Sequence, residues 1–447
     1  MKTCFILFFI ASALALPATA QYVTGKGNDV NTPLHLLKPD YTIPYGETTK
    51  EEIVDVLDRV YTYLNKVTPM ALIDKTTQAM ITDPSKANAN SIFKPGDFRL
   101  ISYEWGVTYT GMLEATAATG DKKYAAYTID RINFIGDVVK HYREMNGATP
   151  VRSVLEPRAL DDAGSMAAAT IKAMRAGADN SELKTIADRY IAYILTKEFR
   201  LKDGTLARNR PLPNTLWLDD LYMSLPALAQ MGVLTGDEQY FEKALKQYRQ
   251  FAGRMFNKEK GLYMHGWVED MAPHPQFHWA RANGWAIMTK IELLDALPDN
   301  HPGKAELMEM LQQHAAGLAQ RQHKTGFWHQ LLDRNDSYLE TSATAIYTYC
   351  IARAINKGWL DARAYGPMVL LAWNAVSTKV TEEGQVEGTC VGTGMGFDPA
   401  FYYHRPVNNF AAHGYGPVLL AAAEMYRLLE RHPFRINDSA VQMEGSR

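Results

Sequence analysis

Thr119-Gly120-Asp121, with Tyr124 three residues on, returns as Thr235-Gly236-Asp237 with Tyr240. Both phrases stand between stretches whose apolar residues recur at helical spacing, and their chemistry suits a tight turn. Glycine closes one helix in the left-handed conformation, and the following aspartate caps the next by accepting its orphan backbone N–H groups. Working outward on such start and stop signals gives about twelve helices, near 50–66, 103–119, 121–144, 161–177, 181–200, 219–232, 237–256, 283–296, 303–322, 341–356, 361–380 and 415–431. Strand-like alternation is confined to short pieces.

A second repeat sits in the longer connections. Gly204, Gly261, Gly326 and Gly384 each follow a polar run and precede alternating residues (TLAR, LYMH, FWHQ, QVEG), and they lie 57, 65 and 58 residues apart, about one helix pair each. The plain reading is all-α: six helical hairpins closed into a ring, an (α/α)6 barrel. Short connections then gather at one end and long ones at the other, where loops on a rigid scaffold carry function. An open solenoid of helix pairs competes with the closed ring.

The chain of 447 residues opens MKTCFILFFIASALALPATAQ, the pattern of a secretory signal peptide over residues 1–20. The expected protein is therefore exported, to the periplasm or the extracellular space. An irregular arm is expected over 21–48, one catalytic-sized domain over 49–432 and a frayed tail over 433–447. Removal of the signal would leave Cys350 and Cys390, too few for a disulfide framework. A net charge of −2 with interspersed signs offers no basic stripe for nucleic acid and no polybasic membrane anchor. No later stretch approaches the roughly 20 apolar residues of a membrane span. Oligomeric state is open at this stage.

Asn214 to Ser224 reads NTLWLDDLYMS and sets Asp219 and Asp220 between Trp217 and an apolar helical run. Aspartate opening a helix has a plain role as a cap. A carboxylate held against Trp217 and Tyr222 would instead be desolvated, its pKa raised toward the range of general acid/base work. A second pair, Asp161 and Asp162 in PRALDDAGSM, also stands where a helix is expected to start, and across a ring the two pairs could face each other. Here too capping and catalysis remain alternatives. The long connections add Tyr263, His265 and Trp267 in GLYMHGW, Trp279, Arg281 and Trp285 in HWARANGW, and Trp328 and His329 in FWHQ. Trp faces suit sugar rings and the arginine fork suits a carboxylate. An aromatic mouth bearing arginine suits an acidic sugar, although each Trp alone is more often core.

No cofactor and no metal is expected: HExxH, CxxC and calcium-loop spacings are absent, and the 12 histidines are scattered. The stretch GTCVGTGMGF has phosphate-loop glycines without the following Lys-Ser/Thr, and reads as a tight loop near the mouth.

WLDDLYM, GLYMHGW, WARANGW, FWHQLLD, SYLETSATA, GTGMGF, FYYHRP and HGYGPVLLAAAE occur in this order, and with them the chain resembles glycoside hydrolase family 105, the unsaturated rhamnogalacturonyl and related uronyl hydrolases. The resemblance runs from about residue 50 to 431. It implies the six-hairpin barrel reached above, and a partner: an oligosaccharide capped by the 4,5-unsaturated uronic acid that polysaccharide lyases leave. It also implies the reaction. An aspartic acid protonates carbon 4 of the vinyl ether and its carboxylate takes a proton from water adding at carbon 5, after which the hemiketal collapses and releases the saccharide. Carried over by position, the catalytic Asp is Asp219 and the second acid Asp161, with Asp162 one residue away as the alternative. The binding residues implied are Trp217, His265, Trp279, Arg281 and Trp285, with Trp105 in WGV a weaker match. The long loops from Gly384 to His413 depart from shorter family members. An inverting glycosidase on saturated oligosaccharides and a non-catalytic glycan-binding protein are the competing readings.

Overall fold

In the computed structural model of the protein the described residues are 27, 30–33, 46–145, 147–271, 273–437 and 440–443. The expected signal segment and most of the expected arm lie outside them. The two Thr-Gly-Asp junctions fold as their chemistry dictates. Gly120 and Gly236 are left-handed, at φ 79° and 72°, and their N–H groups close the preceding helices on Thr116 and Gly232. Asp121 then accepts from the Lys123 N–H and Asp237 from the Gln239 N–H.

The helices are α1 (Lys50–Val67), α2 (Tyr103–Thr119), α3 (Lys122–Tyr142), the short α4 (Arg152–Leu155), α5 (Leu160–Arg175), α6 (Leu183–Thr196), α7 (Leu225–Thr235), α8 (Gln239–Met255), α9 (Ala280–Ala296), α10 (Gly303–Ala319), α11 (Thr341–Asn356), α12 (Ala362–Ser377), the short α13 (Pro399–Tyr403) and α14 (Tyr415–Arg431). Packing runs α2 to α5, α7, α9, α11 and α14, and α14 returns to α2. That last contact closes the ring and rejects the open solenoid. Outside it stand α3, α6, α8, α10 and α12, each against its hairpin partner, with α1 against α14. The burial pattern follows: α9 is buried without a break from Ala280 to Leu294, whereas α8 buries only one stripe, as expected of inner and outer helices.

Small residues let the inner backbones approach. A methyl group added at Gly416 would lie 2.8 Å from the Thr108 nitrogen, where α14 meets α2. One added at Gly164 would lie 1.8 Å from the Met223 carbonyl oxygen, so only glycine lets α5 pack under the turn that precedes α7. Gly204, Gly261, Gly326 and Gly384 are all left-handed, and each turns a small hairpin at the long-loop end.

Inner helices begin at that end and finish at the other, where charges from four of them interlock. Arg353 reaches Glu114 (3.2 Å), Asp295 (2.8 Å) and Glu424 (2.5 Å), and Arg427 reaches Glu114 (2.7 Å) and Glu424. Burial pushes the Glu114 carboxyl up, but Arg353 and Arg427 outweigh it and hold it at about 2 against the ordinary 4.5. Its folded-state pKa is depressed, so its contribution is present above pH 4.5 and lost as pH falls toward 2, on the order of 3 kcal/mol in all. We expect the urea stability of the native protein to exceed that of Glu114→Gln at pH 6 and the gap to narrow by pH 3; a gap independent of pH would contradict this.

Two expectations are corrected. The helix placed at 219–232 begins only at Leu225, with Pro226 in its first turn, because residues 218–221 form a separate 3-10 turn. The tail does not fray from 433: Phe434–Asn437 pairs antiparallel with Ala440–Met443, burying Val441 and Met443 against α12. Cys350 and Cys390 are buried free thiols. Among the described residues no helix is long and apolar enough to cross a membrane.

Candidate active site

Thr215–Trp217 pairs antiparallel with Gly266–Val268, and the Leu218 N–H continues the ladder onto the His265 carbonyl at 2.9 Å. The chain then turns at once into the 3-10 turn that carries both aspartates. Neither side chain caps it, so the plain capping role fails for this pair. Asp219 meets the ring of His265, Oδ2 to Nε2 at 3.0 Å, with its side chain 14% exposed. Asp220 points the opposite way and is fully buried.

Asp220 is held by Arg208, whose Nε donates to both carboxylate oxygens at 3.0 Å and whose Nη2 also reaches Oδ1. The far edge of the same guanidinium donates to Asp161 at 2.7 and 3.1 Å. One arginine thus bridges two carboxylates bidentately, the pairing its planar fork suits. Burial outweighs the opposing pull of Arg208 and, with Asp161 and Glu198 adding to the rise, holds the Asp220 carboxyl up at about 7. Arg210 approaches Asp161 from outside at 3.4 Å. Asp162 instead accepts the Arg158 N–H at 2.9 Å, tying down the start of α5. The two acids left open by sequence therefore divide: Asp161 faces the centre and Asp162 serves the helix terminus.

His265 is fully buried and fixed from behind. Its Nδ1 lies 2.8 Å from the Tyr402 hydroxyl, which also contacts the Gly396 carbonyl at 3.2 Å and the Gly396 N–H at 3.3 Å. With Tyr402 donating to Gly396 O, its oxygen accepts from Nδ1–H, and Nε2 is free to accept a proton from Asp219. The Asp219–His265 pair can therefore hold one exchangeable proton. Burial raises the Asp219 carboxyl, but the His265 charge and hydrogen bond, with Arg208 behind them, outweigh it and the net direction is down. This corrects the expectation that aromatic surroundings alone keep Asp219 protonated.

The aromatic and arginine expectations are also redrawn. Trp217 is 8% exposed, with Arg208 and Arg210 over its ring at 4.7 and 4.8 Å, so it is no open stacking wall. Trp279 packs on His265, centroids 4.6 Å apart, and Trp285 stacks on Tyr222 at 5.1 Å beneath the aspartate turn. Trp105 stacks on Phe98 at 4.8 Å. All three are essentially buried and support the site instead of presenting a face. Arg281 does not offer its fork to a ligand: it donates to Ser342 Oγ and to the carbonyls of Cys390 and Val391. Glu340 caps α11 and accepts the Cys390 N–H at 2.9 Å. Arg281 and Glu340 together pin the glycine-rich loop against the mouth.

Sequence reasoning missed Arg208, Tyr402 and the trio Tyr103, Glu104 and His413. The Tyr103 hydroxyl lies 2.5 Å from His413 Nε2, and Glu104 Oε1 3.7 Å from the same nitrogen. Burial and then the Arg281 charge hold His413 well below the ordinary histidine range, so it is neutral near pH 7. Arg208 had a signal, since it ends the TLAR phrase after the first loop glycine. Beside Glu104, Trp105 and His413 opens a cavity of about 780 Å3, large enough for sugar residues. Asp219 does not line it, but Tyr103, next in the chain to the lining residues Ser102 and Glu104, feels the charges of both Asp161 and Asp219.

The profile of Glycosyl Hydrolase Family 88 matches residues 72–429. The unsaturated rhamnogalacturonyl hydrolase YesR of Bacillus subtilis is 27% identical over 338 residues, 74% of this chain and 91% of its own. An unsaturated 3S-rhamnoglycuronyl hydrolase of an Alteromonas species is 31% identical over 215 residues, 47% of this chain and 50% of that protein. Among solved structures, a possible family 105 member from Klebsiella pneumoniae superposes with a TM-score of 0.69 at 24% identity, covering 87% of this chain and 97% of that one. The unsaturated glucuronyl hydrolase of Bacillus sp. GL1 gives 0.57 at 16% identity, covering 83% and 96%; both likenesses speak to the fold. The match over most of the chain places this protein in Glycosyl Hydrolase Family 88.

Proposed function

We propose that the protein removes a 4,5-unsaturated uronic acid from the non-reducing end of lyase-generated oligosaccharides, by hydrating the vinyl ether with Asp219 as general acid and base. The observation that carries this reading is the division of the aspartate pair. Asp219 is reachable and shares a proton site with His265 at 3.0 Å, while Asp220 is locked to Arg208. In the proposed step the proton that Asp219 shares with His265 is delivered from Asp219 to carbon 4, and positive charge develops at carbon 5 next to the ring oxygen. The Asp219 carboxylate then takes a proton from the water whose oxygen bonds to carbon 5. The hemiketal opens between carbon 5 and the ring oxygen, leaving a ketone at carbon 5 and a hemiacetal at carbon 1 that expels the saccharide.

Developing positive charge at carbon 5 is favoured by the nearby carboxylate of Asp161, which Arg208 orients. His265, oriented by Tyr402, fixes which Asp219 oxygen carries the proton. A screen of unsaturated disaccharides from pectin, rhamnogalacturonan, ulvan and glycosaminoglycan lyases tests the reading. Loss of the conjugated double-bond absorbance together with saccharide release is expected; cleavage of saturated oligosaccharides with that absorbance intact would instead favour the inverting glycosidase. We further propose export, supported by the basic Lys2, the apolar run from Cys4 to Leu16 and the small residues before Gln21. Amino-terminal sequencing of protein recovered from cell fractions tests it, an N-terminus retained at Met1 being the contrary result.

A further inference from the structure

Much of the lining of the cavity of about 780 Å3 beside the site comes from residues 93–102 ahead of α2 and from Asn408 and residues 410–412 ahead of α14, with Glu104 and Trp105 of α2 completing it beside Pro150, Gly392 and His413. Its apolar surface includes Phe98, which is 8% exposed and backed by Trp105, and Phe410, which is 56% exposed. An aromatic left open at the rim of a polar cavity is a ready surface for a sugar face. Lys94 and Arg99 stand in the same lining, both exposed. Among the described residues no hydrogen bond or ion pair engages either side chain. The other site arginines are engaged, Arg208 by two carboxylates and Arg281 by the Ser342 hydroxyl and two backbone carbonyls.

The carboxylates of the lining do not neutralise them. Asp97 accepts the Tyr63 hydroxyl at 2.8 Å, and Glu104 is turned to His413. Asn408 adds a polar side chain on the facing wall. Two free cations and an open aromatic, next to a centre that takes the terminal sugar, describe a subsite for a sugar bearing an anion. Resting on the proposed function above, we propose that Lys94 and Arg99 bind an anionic group, an ester sulfate or a uronate carboxylate, on the saccharide beyond the unsaturated residue, with Phe410 against its ring. The same two cations thereby set which lyase products are accepted.

The test compares three substrates: an unsaturated uronyl-rhamnose disaccharide, the same disaccharide sulfated on rhamnose, and the trisaccharide extended by a uronate. The intact enzyme should show a lower KM on one of the two substrates bearing a second anion than on the plain disaccharide, and which of them gains identifies the source of that anion. Lys94→Ala/Arg99→Ala should raise KM on that substrate about 10-fold or more and leave kcat, and both constants on the plain disaccharide, nearly unchanged, the pattern of lost ground-state binding. Equal KM values on all three, or equal losses on all three in the double variant, would overturn the proposal. Calorimetric titration with saturated rhamnose-sulfate and rhamnose-uronate saccharides reads the cavity without turnover. If no unsaturated substrate is turned over while this binding is present and lost in the double variant, the reaction reading fails and the subsite stands; absent binding there, with turnover intact, removes the subsite alone.

Discussion

Asp219→Asn should lower kcat on the unsaturated disaccharide by about 10³-fold while substrate affinity changes little, because a positioned acid/base contributes roughly 10²–10⁴ to rate. The amide keeps the size of the side chain and can still donate to His265 Nε2 at the 3.0 Å position, so folding is expected to be retained. It has no proton to give carbon 4 and cannot take one from water. His265→Gln should lose less, since it removes the partner that sets the proton and not the donor itself. Equal turnover in Asp219→Asn and the parent enzyme would remove the central assignment, whereas binding of the saccharide with no turnover by the parent enzyme would make a binding protein the better account.

The second large effect concerns Arg208, which lies between Asp220 and Asp161 with its side chain 6% exposed. Arg208→Met leaves Asp220 as a buried carboxylate with no counter-charge, and removing one partner of such a pair costs about 3–5 kcal/mol. Part of this is relieved by protonation of Asp220, whose carboxyl burial already pushes up to about 7. The variant should therefore be less destabilised at pH 5 than at pH 8. Adding Asp220→Asn to Arg208→Met should recover much of the stability but not the activity, since Asp161 remains unoriented. Urea midpoints for the single and double variants check the first claim and turnover the second. A double variant no more stable than the single would show that Arg208 acts chiefly through Asp161.

How far the sequence could be read depends on whether the deciding interaction is local. The Thr-Gly-Asp junctions are local chemistry, and the helices at 103–119, 341–356 and 415–431 begin and end where their caps and apolar spacing place them. Ring closure is not local. It depends on α14 reaching α2 across three hundred residues through the close approach at Gly416, and the spacing of loop glycines only hinted at it. At the site, Asp219 and Asp220 read as a helix start because the apolar period runs on behind them, yet Pro226, a residue that favours the first helical turn, marked the true start. Arg281 misled for another reason: a fork that suits carboxylates also suits backbone carbonyls, and only the fold brings Cys390 and Val391 within its reach. The tail was read as frayed because a two-stranded hairpin carries little signal without the surface of α12 that covers it.

The measurement that bears most directly on the central claim is a single time course in deuterated water, following double-bond absorbance, released saccharide and deuterium at carbon 4 by NMR. Hydration by Asp219 predicts that absorbance falls in step with saccharide release or ahead of it, and that carbon 4 of the initial product carries one deuterium in a single configuration. Saccharide released ahead of the fall in absorbance, with deuterium appearing later in both configurations, would contradict it and place the attack at carbon 1.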